Sequence, residues 1–282
     1  MIPAQGAHTY AKETLMVRVL LTFSILGLFV ITSCGKKPVG IVEKEVTYDS
    51  DGTTMKGYLA YNGDLVGKRP GILVVHEWWG LNSYARKRAH MLAELGYAAM
   101  AVDMYGEGRQ ATHPDDAGKF AQEVMQNIGT AKNRFTAASA LLAQQEICDP
   151  QRIAAIGYCF GGGVVLHMAR LGLPLAGVAS FHGSLATASP AQPGQVKAKV
   201  LVCNGADDTF IPAELIETFK KEMDSAGVDY RFINYPGALH GFTNPEATAL
   251  GEKFKIPLAY NEAADKQSWT DLQEFLTRIF PK

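Results

Sequence analysis

The sequence predicts an α/β fold in which helices cover both faces of a mostly parallel central sheet. Two observations predict it. From Val42 onward, short apolar runs alternate with longer segments of helical periodicity, the pattern of strands joined by crossover helices. The run Gly-Ile-Leu-Val-Val at 71–75 carries no polar side chain, as expected of a strand that is covered on both faces. With 282 residues, 47% hydrophobic and 20% charged, the chain suits one such domain.

The first predicted elements are a hairpin, a central strand and a helix. Residues 47–61 form the hairpin, with Asp51-Gly52 as its turn. The run at 71–75 follows as the central strand. Asn82 or Ser83 caps a helix that runs to Leu95, and Gly96 closes it in the left-handed conformation that glycine adopts at least cost.

The remaining predicted elements alternate along the chain. Strands are expected at 97–103, 153–156, 177–181, 200–204 and 230–235, and helices at 117–128, 131–145, 164–171, 212–226 and 266–280. Residues 105–114, rich in glycine and polar side chains, are expected to form a long surface loop. No internal repeat and no Pro/Ser-rich linker divides the chain, so a single globular domain is predicted.

The composition excludes several classes of protein. Charges nearly cancel, with 27 Lys and Arg against 28 Asp and Glu for a formal net charge of -1, so the basic excess that drives nucleic-acid binding is lacking. Four cysteines are too few for a disulfide scaffold. No group of His, Cys or Asp has the spacing of a zinc site. We therefore expect neither nucleic-acid binding nor a metal or other cofactor.

The N-terminal segment is expected to direct export. Arg18 precedes an apolar run at 19–30, which is short for a membrane span and typical of a signal peptide. The run ends in Ile31-Thr32-Ser33-Cys34, which resembles the lipobox of bacterial lipoproteins. That resemblance implies that Cys34 is lipidated and holds the protein in the cell envelope, facing the periplasm or the exterior. An uncleaved anchor or an ordinary signal peptide is the alternative.

These features set the predicted boundaries. Residues 1–33 form the signal peptide, residues 34–42 a lipid-anchored tether and residues 43–282 the globular domain. Lys12 and Glu13 do not fit a signal peptide, whereas the sequence from Met16 does. We therefore expect translation to begin at Met16.

A cysteine lies at the centre of a Gly-x-Cys-x-Gly motif. A predicted strand at 153–156 precedes Gly157-Tyr-Cys159-Phe-Gly161, and a predicted helix follows. Glycines on either side permit a turn so tight that the central side chain stands clear of the sheet, as in the nucleophile elbow of hydrolases. The helix N-terminus stabilises negative charge on the cysteine. Cys159 is thus the candidate nucleophile, with a buried structural cysteine as the alternative.

An acid and a histidine follow this cysteine along the chain. Asp208 follows the predicted strand at 200–204, and His240 follows the one at 230–235. The order nucleophile, acid, histidine, each after a strand, is that of an α/β-hydrolase triad. In such a triad His240 takes the thiol proton and returns it to the leaving group, while the acid fixes the histidine tautomer. Asp207, next to Asp208, is assigned to a turn or cap.

In these residues the sequence resembles the dienelactone hydrolase family, and the resemblance covers most of residues 43–282. The resemblance rests on Gly-Tyr-Cys-Phe-Gly-Gly at 157–162, on the segments of Asp208 and His240, and on Val-His-Glu-Trp-Trp-Gly at 75–80. The family pattern Asp-x-x-Val/Ile-Pro matches the chain from Asp208 to Pro212, which favours Asp208 over Asp207. The resemblance implies an α/β-hydrolase fold.

The resemblance also implies a role for Glu77. In the family, the glutamate at this position accepts a hydrogen bond from the resting thiol and holds it away from the histidine until substrate arrives. A carboxylate beside the thiol opposes thiolate formation and so protects an exposed cysteine from oxidation. The alternative for Glu77 is a surface or capping carboxylate.

The remaining site predictions concern the oxyanion hole and the substrate pocket. The backbone N–H groups of Phe160 and Trp78 are expected to form the oxyanion hole. Trp79, Tyr105 and Phe242, together with Trp78, are the candidate walls of an apolar substrate pocket, although each also has a packing explanation. His76 and His182, which also follow strands, are expected to be structural.

The sequence departs from the family at the substrate-binding arginines. Dienelactone hydrolase binds the carboxylate of its substrate with arginines in two segments, one after a strand that ends Asp-x-Tyr and one after the catalytic histidine. Here Gly106 and Glu107 follow Tyr105, and Gly-Phe-Thr-Asn follows His240. Arg109 is either a substitute or a solvated loop side chain. The resemblance therefore does not extend to dienelactone as the substrate.

The function expected from these residues is hydrolysis of ester or lactone bonds in small carbonyl substrates through an acyl-thioester on Cys159. The alternative is a non-catalytic, ligand-binding lipoprotein with the same fold, and a third possibility is oxidative pairing of Cys159. We expect a monomer, attached to the membrane through its lipid anchor. The sequence leaves open whether Cys148 and Cys203 are bridged.

Overall fold

The computed structural model describes residues 39–281. Within them lie eight strands and seven helices. The strands are β1 (Ile41–Ser50), β2 (Thr53–Asn62), β3 (Arg69–Val75), β4 (Ala98–Val102), β5 (Cys148–Tyr158), β6 (Gly177–Phe181), β7 (Lys199–Gly205) and β8 (Tyr230–Tyr235). The helices are α1 (Ser83–Glu94), α2 (Pro114–Met125), α3 (Ile128–Ala143), α4 (Phe160–Arg170), α5 (Ala213–Ser225), α6 (Ala247–Phe254) and α7 (Glu262–Ile279). The predicted signal peptide, Cys34 and most of the predicted tether lie outside the described residues.

The eight strands form one sheet in the order β1-β2-β4-β3-β5-β6-β7-β8. β2 pairs antiparallel with β1 and with β4, while the strands from β4 to β8 pair in parallel. The apolar run at 71–75 belongs to β3 and lies near the centre of the sheet, as its composition predicts. The mostly parallel sheet is therefore confirmed.

The predicted hairpin is confirmed and is longer than expected. β1 pairs with β2 from Ile41 to Asn62, so the first strand begins inside the segment assigned to the tether. Asp51 and Gly52 connect the two strands with φ angles of 54° and 78°. Both angles are left-handed, as a two-residue turn between twisted strands requires.

Helices cover both faces of the sheet, as predicted. On one face, apolar side chains of α2, α3, α4 and α5 form a core with the sheet, including Phe135 and Val164. On the other face, α1 and α7 pack against the sheet through side chains such as Leu92 and Leu272. Because both faces are buried, the central strands carry few polar side chains. No helix within residues 39–281 is both long and apolar enough to cross a bilayer.

Helix α6 was not among the predicted elements, and four helices, α2, α3, α4 and α7, begin three or four residues earlier than predicted. The side chain of Glu246 makes no capping hydrogen bond at the start of α6, and Lys255 rather than glycine takes the left-handed position at its end. Helices α2 and α3 begin three residues early because His113 caps α2 ahead of Pro114, and Asn127 caps α3.

The parallel strands bring the predicted site residues to one edge of the sheet. Glu77 follows β3, Cys159 follows β5, Asp208 follows β7 and His240 follows β8. Because these strands run in the same direction, their carboxyl ends meet at a common edge, where ligands bind in open α/β sheets.

Candidate active site

Cys159 occupies a strained turn between β5 and α4. Its φ of 53° and ψ of -115° lie in a region that few residues other than glycine adopt. A Cβ atom on Gly157 would lie 2.1 Å from the carbonyl oxygen of Gly161, and one on Gly161 would lie 2.3 Å from that of Val75. The two glycines of the motif therefore allow β5, α4 and the end of β3 to approach closely enough to hold the cysteine in this turn.

His240 is held by Asp208. The Nδ1–H group of His240 donates to Asp208 Oδ2 at 2.8 Å, and the other oxygen of Asp208 accepts the backbone N–H of Phe210 at 2.9 Å. The Asp208 side chain is fully buried and that of His240 is 12% exposed, whereas Asp207 is exposed. The pairing fixes the tautomer of His240 and leaves its Nε2 atom for a second partner.

Cys159 and His240 line a common cavity. Burial lowers the pKa of His240, but the charge and hydrogen bond of Cys159, together with those of Asp208, outweigh burial and raise it to about 10. The three residues can transfer a proton from the thiol to the imidazole.

Glu77 lies beside this group and is held by an asparagine. Glu77 Oε2 accepts a hydrogen bond from Asn244 Nδ2 at 2.7 Å, and both residues are buried. Within residues 39–281, no hydrogen bond joins Glu77 to Cys159. Burial raises the pKa of Glu77 to about 7, although Asn244 and the charge of His240 oppose the rise. Asn244 was not predicted from the sequence, and its only signal is its position shortly after His240.

A backbone hydrogen bond joins the start of α4 to the segment that precedes Trp78. Phe160 is the first residue of α4, so its N–H group has no acceptor within the helix. The N–H of the next residue, Gly161, donates to the carbonyl oxygen of His76 at 3.1 Å, which fixes the start of α4 against the segment that contains Trp78. The Trp78 carbonyl accepts the Tyr105 hydroxyl at 2.9 Å, so this segment is itself braced.

A cavity of about 240 Å³ opens beside the cysteine and the histidine. Its walls are apolar apart from that pair and comprise Trp78, Cys159, Phe210, His240, Ile256 and Leu258. The segment that carries Ile256 and Leu258 is fixed to the site, because Ala259 N–H donates to the His240 carbonyl oxygen at 3.2 Å.

The structure places three of the predicted pocket residues elsewhere. Trp79 is buried against Phe254, Tyr105 is 1% exposed in the core, and Phe242 is fully buried among side chains that include Tyr235. None of the three lines the cavity. Trp78 does line it, while Phe210, Ile256 and Leu258 were not predicted, because nothing in their sequence spacing indicates which way their side chains point.

His76 and His182 are buried, hydrogen-bonded side chains next to the site and are structural, as predicted. His76 is buried, its Nδ1–H donates to the Glu77 carbonyl oxygen, and its Nε2 accepts from Met104 N–H at 3.2 Å. His182 Nε2 contacts Thr243 Oγ1 at 2.8 Å, and its ring meets that of His240 edge to face. Burial lowers the pKa of both supporting histidines, so both are neutral and leave His240 as the base.

Cys148 and Cys203 are both free and buried. Cys148 belongs to the core on the face of α3, and Cys203 to the core on the opposite face of the sheet. The sheet therefore separates the two thiols and prevents a bridge between them. Burial raises the pKa of Cys148 to about 11 and that of Cys203 to about 12, so neither is a reactive thiol.

Within residues 39–281, neither an arginine nor a metal-binding cluster lines the cavity. Arg109 donates to the Tyr105 carbonyl oxygen at 2.7 Å, contacts Glu123, and stacks on Phe120. It is therefore committed to its own loop and does not line the cavity. Among residues 39–281, no three His, Cys, Asp or Glu side chains converge in an arrangement that could hold a metal ion.

Known proteins share both the sequence pattern and the fold. The model of the dienelactone hydrolase family matches residues 55–280. Protein usf of Aquifex pyrophilus is 26% identical over 223 residues, which cover 77% of this chain and 94% of that protein. The crystal structure of a dienelactone hydrolase-like promiscuous phosphotriesterase from metagenomic libraries is 33% identical, with a TM-score of 0.78 over 86% of this chain and 99% of that one. A dienelactone hydrolase from Anabaena variabilis, 22% identical, has a TM-score of 0.54 over 76% of this chain and 94% of that one.

The eight-stranded sheet with helices on both faces defines an α/β-hydrolase fold. The match over residues 55–280 places the chain in the dienelactone hydrolase family, so the protein is a hydrolase.

Proposed function

We propose that this protein hydrolyses ester or lactone bonds of small carbonyl substrates through Cys159, His240 and Asp208. The observation that carries the proposal is the hydrogen bond from His240 to Asp208 beside a cavity that His240 shares with Cys159. A fixed tautomer directs the free nitrogen of the imidazole to the thiol. A ligand-binding module without catalysis has no need of such a pair, so the hydrogen bond favours the enzyme over the binding protein.

The first half of the reaction forms an acyl-thioester. His240 takes the proton of the Cys159 thiol, and the sulfur adds to the substrate carbonyl carbon. The carbonyl oxygen becomes an oxyanion, which accepts hydrogen bonds from the backbone N–H groups of Phe160 and Trp78. When the intermediate collapses, the carbon–oxygen bond to the alcohol breaks, and His240 gives its proton to the departing alkoxide.

The second half releases the acid. His240 removes a proton from a water molecule, which adds to the thioester carbonyl. The second tetrahedral intermediate expels the sulfur, which recovers its proton from His240. In a lactone the alcohol remains attached to the acyl group, so the product is a single hydroxy acid. Through both halves Asp208 accepts the Nδ1–H group of His240 and orients the imidazole.

Hydrolysis of a panel of para-nitrophenyl esters and small lactones tests the proposal. We expect the Cys159→Ala and His240→Ala variants to lose at least about 1,000-fold in kcat/KM. The matched control is His90→Ala, since His90 is a half-exposed histidine that pairs with Glu43 outside the site. Equal rates in the wild type and both triad variants would refute the enzyme and favour the ligand-binding alternative.

We also propose that Cys34 is lipidated and that the protein is attached to a membrane of the bacterial cell envelope. The support is the sequence Ile31-Thr32-Ser33-Cys34 after an apolar run. In a bacterial host, the full chain is expected to fractionate with membranes and to incorporate labelled fatty acid. The Cys34→Ser variant is expected to do neither. Membrane attachment and labelling that survive this substitution would contradict the proposal.

A further inference from the structure

The catalytic cavity is apolar and, apart from His240, lacks a group that could bind a charged substrate. Apart from the thiol and imidazole, its walls are the side chains of Trp78, Phe210, Ile256 and Leu258. No lysine or arginine of the described chain is among them. An anionic substrate that entered would lose its water without gaining a partner, which is a large cost for a carboxylate.

The cations near the site are already paired. Arg88 is buried, contacts Asp265 Oδ1 in an ion pair and donates to the Thr243 carbonyl oxygen. Arg109 is committed to Glu123 and the Tyr105 carbonyl oxygen. Neither guanidinium is available to a ligand in the cavity without the loss of a contact that holds the fold.

The imidazole that lines the cavity also has a partner. The Nδ1–H group of His240 donates to Asp208 Oδ2 at 2.8 Å, and the Asp208 side chain is fully buried. The ring is therefore already held by a carboxyl group, and a terminal carboxylate of a substrate would compete with that contact.

The dimensions of the cavity limit the substrate. A volume of about 240 Å³ corresponds to about eight non-hydrogen atoms, if each occupies the ~30 Å³ share of a water molecule. The cavity opens from the Cys159 sulfur, to which the acyl part of the substrate becomes attached. An unbranched acyl chain of about six or seven carbons therefore fills it.

The walls are positioned by the catalytic residues themselves. The ring of Phe210, which is 52% exposed at the rim, meets that of His240 edge to face with centroids 5.0 Å apart. The backbone of Leu258 pairs with that of His240 in an isolated parallel β-bridge. The apolar surface is thus a fixed part of the site rather than a mobile cover.

We propose that this cavity binds the acyl chain of small, uncharged esters and that Ile256 and Leu258 determine the preference for uncharged chains. The inference rests on the proposed ester hydrolysis. On this proposal, esters whose acyl chain carries a carboxylate are poor substrates of this protein.

A matched pair of substrates tests the preference. The pair is para-nitrophenyl heptanoate and the mono-para-nitrophenyl ester of adipic acid, whose acyl chains have similar lengths and differ in a terminal carboxylate. We expect the wild type to favour the heptanoate by about 100-fold or more in kcat/KM. Leu258→Arg supplies a cation at the wall and is expected to narrow that ratio by at least about tenfold.

Two further variants control the experiment. Val66→Arg adds the same charge at a fully exposed position and is expected to leave the ratio unchanged, while Leu258→Met keeps an apolar wall and the wild-type preference. Equal hydrolysis of the two esters that depends on Cys159 would overturn the inference and leave the proposed function intact. No Cys159-dependent hydrolysis of either ester would overturn both. A ratio that Leu258→Arg and Val66→Arg change equally would show a general charge effect and refute the role of Leu258.

Discussion

Replacement of Gly157 by alanine should displace the nucleophile without unfolding the protein. The new Cβ would lie 2.1 Å from the Gly161 carbonyl oxygen and 2.7 Å from the Gly162 nitrogen. These are backbone atoms, so no side-chain rotation relieves the contact. An ordinary contact begins at about 3.4 Å, so the start of α4 must move by about 1.3 Å. A shift of this size carries Cys159 and the Phe160 N–H group with it, and a 1 Å misplacement costs roughly 100-fold in rate.

Steady-state hydrolysis of a para-nitrophenyl ester, together with thermal unfolding, measures the two effects separately. Overpacking costs about 1–3 kcal/mol, which is less than the ~5–15 kcal/mol that stabilises a typical domain, so Gly157→Ala is expected to fold. The matched control is Gly118→Ala in helix α2, where nothing lies within 4 Å of a new Cβ. It should keep full activity and gain up to about 1 kcal/mol of stability.

A folded Gly157→Ala variant that retains the kcat/KM of the wild type would refute this prediction. In that case the close approach of β5 and α4 would not be required to place the sulfur, and the glycines of the motif would be incidental to the reaction.

The remaining predictions concern ionisable groups of the site. Asp208→Asn should lower kcat by about 1,000-fold or more, whereas Asp207→Asn, at an exposed neighbour, should leave it unchanged; equal losses would refute the assignment. The pKa of His240, about 10 in the wild type, should fall in Asp208→Asn because a hydrogen bond and a negative charge are lost. NMR titration of the ring protons measures this pKa. An unchanged value would contradict the pairing of His240 with Asp208. Burial raises the pKa of Glu77 from 4.5 to about 7, so the folded protein favours the protonated side chain. The stability that this preference contributes below about pH 4.5 is lost as the pH rises through 7. Relative to the wild type, the free energy of unfolding of Glu77→Gln should therefore increase by about 3 kcal/mol between about pH 4.5 and about pH 8. Chemical denaturation measures both free energies, and a difference between them that does not change with pH would refute the prediction.

Local sequence predicts well the turn at Cys159 and the positions of Asp208 and His240 after their strands. The conformation of Cys159 depends on two glycines that are its near neighbours in sequence, and β5 and α4 on either side follow from apolar patterning. Asp208 and His240 could be located because each follows a strand whose direction the parallel sheet fixes. Their hydrogen bond is a property of the fold rather than of either segment.

The walls of the cavity could not be predicted in the same way. Trp78 and Trp79 are adjacent, yet one lines the cavity and the other packs against Phe254, because side-chain direction in a loop follows no period. Ile256 and Leu258 reach the site only because α6 returns the chain to His240. That helix lacks a capping side chain and a terminal glycine, the two signals that mark helix ends in a sequence.

The central claim is that Cys159 becomes acylated during turnover. Acid quenching of the protein during hydrolysis of para-nitrophenyl heptanoate, followed by mass spectrometry of its peptides, measures this directly. We predict that the mass of one heptanoyl group appears on the peptide that contains Cys159 and is absent from the Cys159→Ala variant. Acylation of a different residue, or turnover that persists undiminished in Cys159→Ala, would contradict the account.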